Sequence, residues 1–222
     1  AYLNGKFVTS TNKFDVINPS TNKVVGEVPD LTISDCKEAI QQAHIAWTKW
    51  KATSLQGRID IVRKMHKLII DHKEHLAEIM TLESGKPLVE SRTEVDYANS
   101  FMEWFAEEGK RSYGETIPSL NPSLKLSTIK QGLGVVAAIT PWNFPLAMIT
   151  RKIAPALVAG CSVILKPASQ TPFTAIALAK IADIAGLPVG VFSVLTSKDN
   201  KGIGRELATS DLVRKITFTG ST

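Results

Sequence analysis

The stretch Val135–Pro145, which reads Val-Val-Ala-Ala-Ile-Thr-Pro-Trp-Asn-Phe-Pro, decides the fold of this chain. Its apolar first half predicts a buried strand, and its two prolines predict that the strand ends in a polar loop. The loop fixes Asn143 at the carboxyl end of the strand. Ligands of open α/β sheets bind at that edge, and an Asn side-chain amide held there can donate to an oxyanion.

Beyond this stretch, strands alternate with helices. We predict strands at 135–140, 162–166, 191–195 and 215–219, and helices at 146–159, 174–185 and 202–208. Gly160 and Gly186 stand where the first two helices should end. Because strands that alternate with helices of this length need parallel crossovers, the sequence predicts an α/β fold with a doubly wound, Rossmann-like parallel sheet.

The residues before this region predict short hairpins and then an amino-terminal layer of helices. Asn4-Gly5 and the segment 18–22 are turn signals between strand-like stretches. Thr32, three residues before Asp35, is placed to cap the first helix. Apolar spacing then predicts three more helices: one from Leu55, one that runs through Leu76 and one from Leu88.

The segment 114–133 alternates apolar and polar residues after two prolines. This pattern predicts an extended, exposed pair of strands. Since an unpaired strand edge invites a partner strand, we expect the protein to oligomerise through this segment.

Composition favours a soluble globular protein. Of the 222 residues, 44% are hydrophobic and 21% are charged, which is ordinary for a folded domain. No apolar run is long enough to span a bilayer and no signal-peptide pattern stands at the amino terminus, so we expect no membrane partner and a cytoplasmic location. The net charge is +5, but acids interrupt the basic residues, which argues against nucleic-acid binding.

The cysteines and histidines predict no metal site and no nucleophile. Cys36 and Cys161 lie far apart in sequence, so we interpret both as packed thiols in a reducing compartment. His72 and His75 have the spacing to share a metal ion, but no acidic residue or cysteine completes the set. We interpret them as a solvated helix face.

Two further segments have the chemistry of a ligand site. Lys166 closes a predicted buried strand and precedes Pro167-Ala168-Ser169, so we expect its ammonium to emerge at the ligand edge, where it can hold ribose hydroxyls or a phosphate. The alternative is a strand-end lysine in solvent. The turn Gly220-Ser221-Thr222 can meet a pyrophosphate, although no G-x-G-x-x-G fingerprint is present.

Together, the segments 139–145, 165–172 and 218–222 resemble successive motifs of the aldehyde dehydrogenase superfamily, with matching spacing. The resemblance extends over the whole chain, as the amino-terminal half of a longer enzyme. It implies a truncated aldehyde dehydrogenase fold in which residues 1–113 form the hairpins and helical layer of the cofactor domain, 114–133 the oligomerisation segment and 134–222 the Rossmann-like NAD(P)-binding region. The implied assembly is a dimer or tetramer.

The resemblance also implies NAD(P)-dependent oxidation of an aldehyde through a cysteine thioester, with Asn143 as the catalytic oxyanion donor. The family's nucleophilic cysteine and general-base glutamate lie beyond Thr222, so we expect this chain alone to be inactive. The implied cofactor-binding residues are Ile139, Thr140, Pro141, Trp142, Lys166, Pro167, Ala168, Ser169, Gly220 and Ser221.

Two positions refine the expected cofactor and substrate. Many NAD-preferring relatives have a glutamate where this chain has Ser169, and a carboxylate there would repel a 2′-phosphate, so we predict NADP, with NAD possible. Among subfamilies the chain most resembles succinate-semialdehyde dehydrogenase of γ-aminobutyrate (GABA) degradation. An arginine at the position of Arg151 helps there to hold the distal carboxylate of the substrate. The alternative for Arg151 is an exposed helix face.

Two other functions stay open from the sequence. One is oxidation of another semialdehyde or aldehyde. The other is a dinucleotide-binding or assembly module without catalysis.

Overall fold

The computed structural model describes residues 1–221, so Thr222 and its part in the predicted 220–222 turn lie outside the described residues. The hairpins and the helical layer come first. They comprise β1 (Tyr2–Leu3), β2 (Lys6–Phe7), β3 (Lys13–Asn18), β4 (Lys23–Pro29), α1 (Ile33–Trp50), α2 (Leu55–Asp71), α3 (Lys73–Ser84) and α4 (Leu88–Glu108). The second half comprises β5 (Thr116–Ile117), β6 (Leu126–Ser127), β7 (Val135–Ile139), α5 (Ala147–Val158), β8 (Ser162–Lys166), α6 (Pro172–Ile184), β9 (Phe192–Val194), α7 (Asn200–Thr209) and β10 (Val213–Phe218).

The main sheet has the strand order β10-β7-β8-β9-β1-β2. Strands β10, β7, β8 and β9 are parallel, whereas β1 pairs antiparallel with β9 and with the edge strand β2. The chain runs outward from β7 to β9 and then crosses back to place β10 on the other side of β7. The predicted doubly wound sheet is confirmed, and its topological switch point, where such sheets bind ligands, lies between β7 and β10.

Helices cover both faces of this sheet because its central strands are apolar on both sides. Val136 and Ala138 of β7 belong to a core shared with α2 to α6, whereas Val135 and Ala137 belong to a second core shared with α1 and α7. The helical layer predicted from the sequence is thus divided between the two faces.

Local signals in the sequence explain several helix ends. Thr32 and Asp35 form the predicted capping box at the start of α1. Gly85 ends α3 in the left-handed region, with φ of 72°, which favours glycine. Helix α7 begins at Asn200, earlier than predicted, because the side chain of Asp199 accepts a hydrogen bond from the amide of Gly202 at 2.7 Å.

Outside the main sheet, β3 pairs with β4 and β5 pairs with β6, each as an isolated antiparallel pair. All four residues of the β5–β6 pair are exposed, as the alternating pattern predicted. Cys36 and Cys161 are buried free thiols, and His72 and His75 are exposed. Within residues 1–221, none of the helices combines the length and the apolar character needed to cross a membrane.

Candidate active site at the carboxyl edge of the sheet

The ends of three parallel strands lie side by side at one edge of the sheet. Ile139 of β7 is in register with Lys166 of β8 on one side and with Phe218 of β10 on the other. The backbone amide of Thr140 donates to Lys166 O at 3.2 Å, and the amide of Thr219 donates to Ile139 O at 3.1 Å. The three segments named from the sequence therefore meet at this edge.

The loop that carries Asn143 is tied to the helical layer by a lysine. Lys86 Nζ donates to Asn143 O at 2.7 Å and lies 2.5 Å from Oε2 of Glu94. The same ammonium lies 4.9 Å from the ring centroid of Phe144. The Asn143 residue itself is exposed, as is Trp142. Its main chain is fixed while its side chain stays accessible to a ligand.

Glu94 is buried and caps the helix that follows this loop. Its Oε1 accepts hydrogen bonds from the amides of Leu146 at 2.9 Å and Ala147 at 3.2 Å. Helix α5 has no cap from its own N-terminal residue, so a carboxylate from α4 satisfies these amides instead. Sequence reasoning missed both Lys86 and Glu94. The sequence does contain a signal for Glu94: it is an acidic residue next to Val95 and one turn before Ala98, on the buried side of α4.

A cavity of about 490 Å³ opens between the Asn143 loop and α4, where Val89, Thr93 and Tyr97 contribute to its wall. Arg151 of α5 does not line this cavity but lies against α4, one helical turn beyond Tyr97. Its guanidinium lies 4.9 Å from the ring centroid of Phe101, which packs edge-on against Tyr97. Arg151 is exposed and makes no ion pair with any residue in 1–221. Its charge therefore remains available beside the cavity.

Lys166 does not project freely, contrary to the expectation that its ammonium emerges at the ligand edge. The residue is 3% exposed, and Nζ donates to Asn200 Oδ1 at 2.6 Å and to Ser197 O at 3.4 Å. Burial lowers the pKa of Lys166 to about 8, and the negative charges of Asp199 and Asp30 oppose that shift. Strand periodicity places the side chain on the face of the sheet covered by α1 and α7.

The site therefore spans the sheet edge. Lys86 holds the Asn143 loop on the face covered by α4 and α5, whereas Lys166 lies on the opposite face. A ligand that reaches both must be long and must cross the ends of β7 and β8. An extended dinucleotide has that shape.

The loop 167–172 fits an anionic ligand. It contains no acidic residue, and Ser169 is half-buried within it. Thr140 Oγ1 and Thr171 Oγ1 are buried and find no hydrogen-bond partner within the described part of the chain. These two buried hydroxyls, at the ends of β7 and of this loop, are polar groups that the described residues leave unpaired.

A second buried glutamate, Glu83, anchors the helix after this loop. Glu83 is 1% exposed and accepts hydrogen bonds from the amides of Phe173 at 2.6 Å and Thr174 at 2.9 Å, and from Thr174 Oγ1. Burial raises its pKa to about 7, although these hydrogen bonds act in the opposite direction and the charge of Glu94 adds to the rise.

The remaining site residues lie near the end of β10. Lys152 is buried in α5, and its Nζ lies 2.5 Å from Thr219 Oγ1. Burial lowers the pKa of Lys152, and the charge of Arg151 lowers it further. Gly220 and Ser221 are exposed directly after this contact. Sequence reasoning did not single out Lys152, because a lysine beside an arginine on a helix is more often solvated.

Several known proteins and one protein family are similar to this chain. Residues 7–222 match the profile of the aldehyde dehydrogenase family. The whole chain aligns at 50% sequence identity with succinate-semialdehyde dehydrogenase [NADP(+)] GabD of Escherichia coli K12, and the alignment covers 46% of that protein. It aligns at 49% identity with glutarate-semialdehyde dehydrogenase of Pseudomonas aeruginosa, again over 46% of that protein.

A crystal structure of aldehyde dehydrogenase from Brucella melitensis biovar abortus 2308 has the same fold. It superposes with a TM-score of 0.97 at 50% identity, over 99% of this chain and 46% of that one. The chain thus spans about half the length of the curated relatives that it matches. A family profile that covers nearly every residue, together with the shared fold, shows that this chain belongs to the aldehyde dehydrogenase family.

Proposed function

We propose that the whole protein oxidises an aldehyde that carries a distal carboxylate, best succinate semialdehyde, to the acid with NADP as the hydride acceptor. The observation that carries this proposal is the position of Arg151, which has no ion pair in the described chain and lies over Phe101, whose neighbour Tyr97 lines the cavity at Asn143. The E. coli relative is named for succinate semialdehyde and NADP(+), which supports the proposal.

Asn143 would stabilise the charge that develops on the aldehyde oxygen. Its main-chain carbonyl is held by Lys86, so the amide needs little reorganisation when that charge forms. The nucleophilic cysteine and the general-base glutamate of such an enzyme lie outside this chain. We therefore expect residues 1–222 alone not to turn over an aldehyde.

Arg151 would select the substrate. A guanidinium holds a carboxylate through two parallel hydrogen bonds, which favours ω-carboxy aldehydes over neutral ones. The ring of Phe101 packs against the guanidinium, 4.9 Å from ring centroid to Arg151 Cζ, and supports it by a cation–π contact. Glutarate semialdehyde, for which the P. aeruginosa relative is named, carries the same group and is the second candidate substrate.

Lys166 and Ser169 would hold the adenosine part of NADP, with Pro167 and Ala168 shaping the loop between them. Ile139–Trp142 and Gly220-Ser221 would line the path across the sheet edge. Bound NADP supplies a nicotinamide ring that accepts the hydride of the substrate. The absence of a carboxylate at Ser169 favours a cofactor with a 2′-phosphate.

We also propose the division of the chain into cofactor-domain layer (1–113), assembly segment (114–133) and NAD(P)-binding region (134–222). The exposed apolar residues of the assembly segment, among them Ile117, Leu126 and Ile129, suit it to contact another subunit in a dimer or tetramer.

The test is steady-state kinetics of the whole protein with succinate semialdehyde, glutarate semialdehyde and butanal. We expect kcat/KM to favour the two carboxylated substrates, and Arg151→Ala to reduce that preference by about 10- to 100-fold, the value of one charged bidentate contact. The control is Arg111→Ala, which removes an exposed arginine outside the cavity. An unchanged preference in Arg151→Ala would overturn the substrate assignment, and an inactive wild type would overturn the proposal itself.

A further inference from the structure

One short turn in the helical layer contacts both halves of the candidate site. Residues 83–87 comprise the last two residues of α3 and the three-residue connection to α4, and they carry Glu83 and Lys86. Glu83 reaches the start of α6, just after the loop 167–172, and Lys86 reaches the loop that carries Asn143. We call residues 83–87 the α3–α4 turn.

The Lys86 side of the turn fixes the catalytic loop. Its ammonium bridges Asn143 O at 2.7 Å and Glu94 Oε2 at 2.5 Å. The other oxygen of Glu94 binds the first amides of α5. One ion pair thus holds both Asn143 and the point where its loop enters α5. The lysine side chain of this pair is 16% exposed and the glutamate side chain is 1% exposed.

The Glu83 side of the turn fixes the cofactor loop. The three hydrogen bonds to Glu83 come from Phe173 and Thr174, in the first turn of α6. Thr171, the residue at the amino-terminal cap of this helix, makes no capping hydrogen bond with its side chain, so Glu83 supplies the acceptor that the local sequence lacks. The position of α6 sets where the segment 167–171 ends.

We propose that the α3–α4 turn positions the two loops through separate residues: Lys86 sets the placement of Asn143, and Glu83 sets the placement of the NADP-binding loop. The inference rests on the proposed function. Neither residue touches the reacting atoms, so both are positioning residues. Separate anchors on one rigid turn keep the catalytic amide and the cofactor loop in a fixed relation across the sheet edge.

Different kinetic signatures follow for the two residues in the whole protein. Lys86→Met removes the ammonium and keeps the stem. A misplacement of about 1 Å can cost 10²-fold in rate, so we expect kcat to fall about 10- to 100-fold while the Kd for NADP stays within about twofold. Glu83→Gln replaces one of the two acceptor oxygens by an NH₂ group, which cannot accept a hydrogen bond from the helix N–H that it faces. Loss of such a cap should raise the Kd for NADP about five- to tenfold, with kcat within about threefold of wild type.

Two further variants guard against a fold defect. Lys86→Met leaves Glu94 buried without its partner, so Lys86→Met with Glu94→Gln removes both charges and should show the same loss of kcat. Lys86→Arg restores the charge and should recover most of kcat. The matched controls are Lys73→Met and Glu74→Gln, which break ion pairs with Asp96 and Arg92 on the same layer but contact neither loop.

Hydrogen exchange of the backbone amides gives a measurement that does not depend on activity. We expect Glu83→Gln to speed exchange at Phe173 and Thr174 and to leave Leu146 and Ala147 unchanged, and the Lys86→Met, Glu94→Gln double variant to do the reverse.

An inactive wild type would refute the proposed function, whereas the exchange pattern tests the anchoring by itself. Exchange and kinetics that change together in both loops for either substitution, or that do not exceed the changes of the controls, would overturn the inference.

Discussion

The ammonium of Lys166 lies 2.6 Å from the side-chain oxygen of Asn200, so the last residue of β8 is fastened to the first residue of α7. This contact buries a positive charge next to the loop 167–172. Because the lysine is already oriented, a ligand that needs its charge pays little conformational entropy for it. Burial also lowers the pKa of Lys166, so ligand binding at this site should depend on pH.

The affinity for NADP should fall as the pH rises through 8. The pKa of Lys166 is lowered to about 8, so the side chain is charged below that pH and mostly neutral above it. A neutral lysine no longer attracts a 2′-phosphate, and we expect the Kd of NADP to rise about tenfold between pH 7 and pH 9.5. Titration of the whole protein with NADP at a series of pH values measures this. Lys166→Met should give a flat profile, and an equally steep profile in that variant would contradict the role.

Ser169→Glu should turn the cofactor preference towards NAD. Ser169 is half-buried three residues after Lys166, and a carboxylate there would repel the nearly two charges of a 2′-phosphate. We expect the ratio of kcat/KM for NADP over NAD to drop about 10- to 100-fold, which is on the order of 1.4 to 3 kcal/mol. Gln170→Glu adds the same charge one residue away, at an exposed position, and should change the ratio much less. If both substitutions change the cofactor preference equally, the change reflects the added negative charge in general and not a contact of residue 169 with the 2′-phosphate.

Much of the fold was predictable because it depends on short-range signals. The alternation of apolar runs with helical periods predicted the parallel strands and their crossovers. Thr32 begins α1 and Gly160 follows the end of α5, as expected. The order of the strands was not predicted, because apolar pattern does not say on which side of β7 the last strand returns. The faces taken by α1 and α2–α4 likewise depend on packing between distant segments.

In the candidate site, too, residues with a local sequence signal were predicted and residues that act through distant contacts were missed. Asn143, Lys166 and Ser169 were predicted as site residues because they end or follow buried strands, where a parallel sheet exposes its ligand edge. Lys86, Glu94 and Glu83 were missed, since each acts on a backbone group at least 50 residues away in sequence, such as the amide of Leu146 for Glu94. The buried state of Lys166 was also missed, because it depends on Asn200 in a distant helix.

Asn143→Ala should abolish most turnover in the whole protein. Loss of one oxyanion donor typically costs about 10² to 10³ in kcat. The Asn143 residue is exposed, so the truncation should leave stability nearly unchanged. Single-turnover kinetics, which isolate the chemical step, with a thermal melt on the same sample, make the comparison. A variant that keeps wild-type single-turnover rates would remove Asn143 from the mechanism.

Glu83 should make the chain less stable as the pH rises from acid to neutral. Its pKa is raised from an ordinary value of 4.5 to about 7, so the folded state binds a proton that the unfolded state releases. This stabilising effect is fully present below pH 4.5 and is lost as the pH rises through 7. Relative to Glu83→Gln, which does not titrate, the wild type should lose up to about 3 kcal/mol over that range. Urea unfolding of both proteins at pH 5 and pH 8 measures the difference. Thr81→Val, in the same helix but bonded to Ser91, controls for local packing. A wild type that gains stability relative to Glu83→Gln between these pH values would mean that the hydrogen bonds from Phe173 and Thr174 outweigh burial and keep the carboxylate ionised.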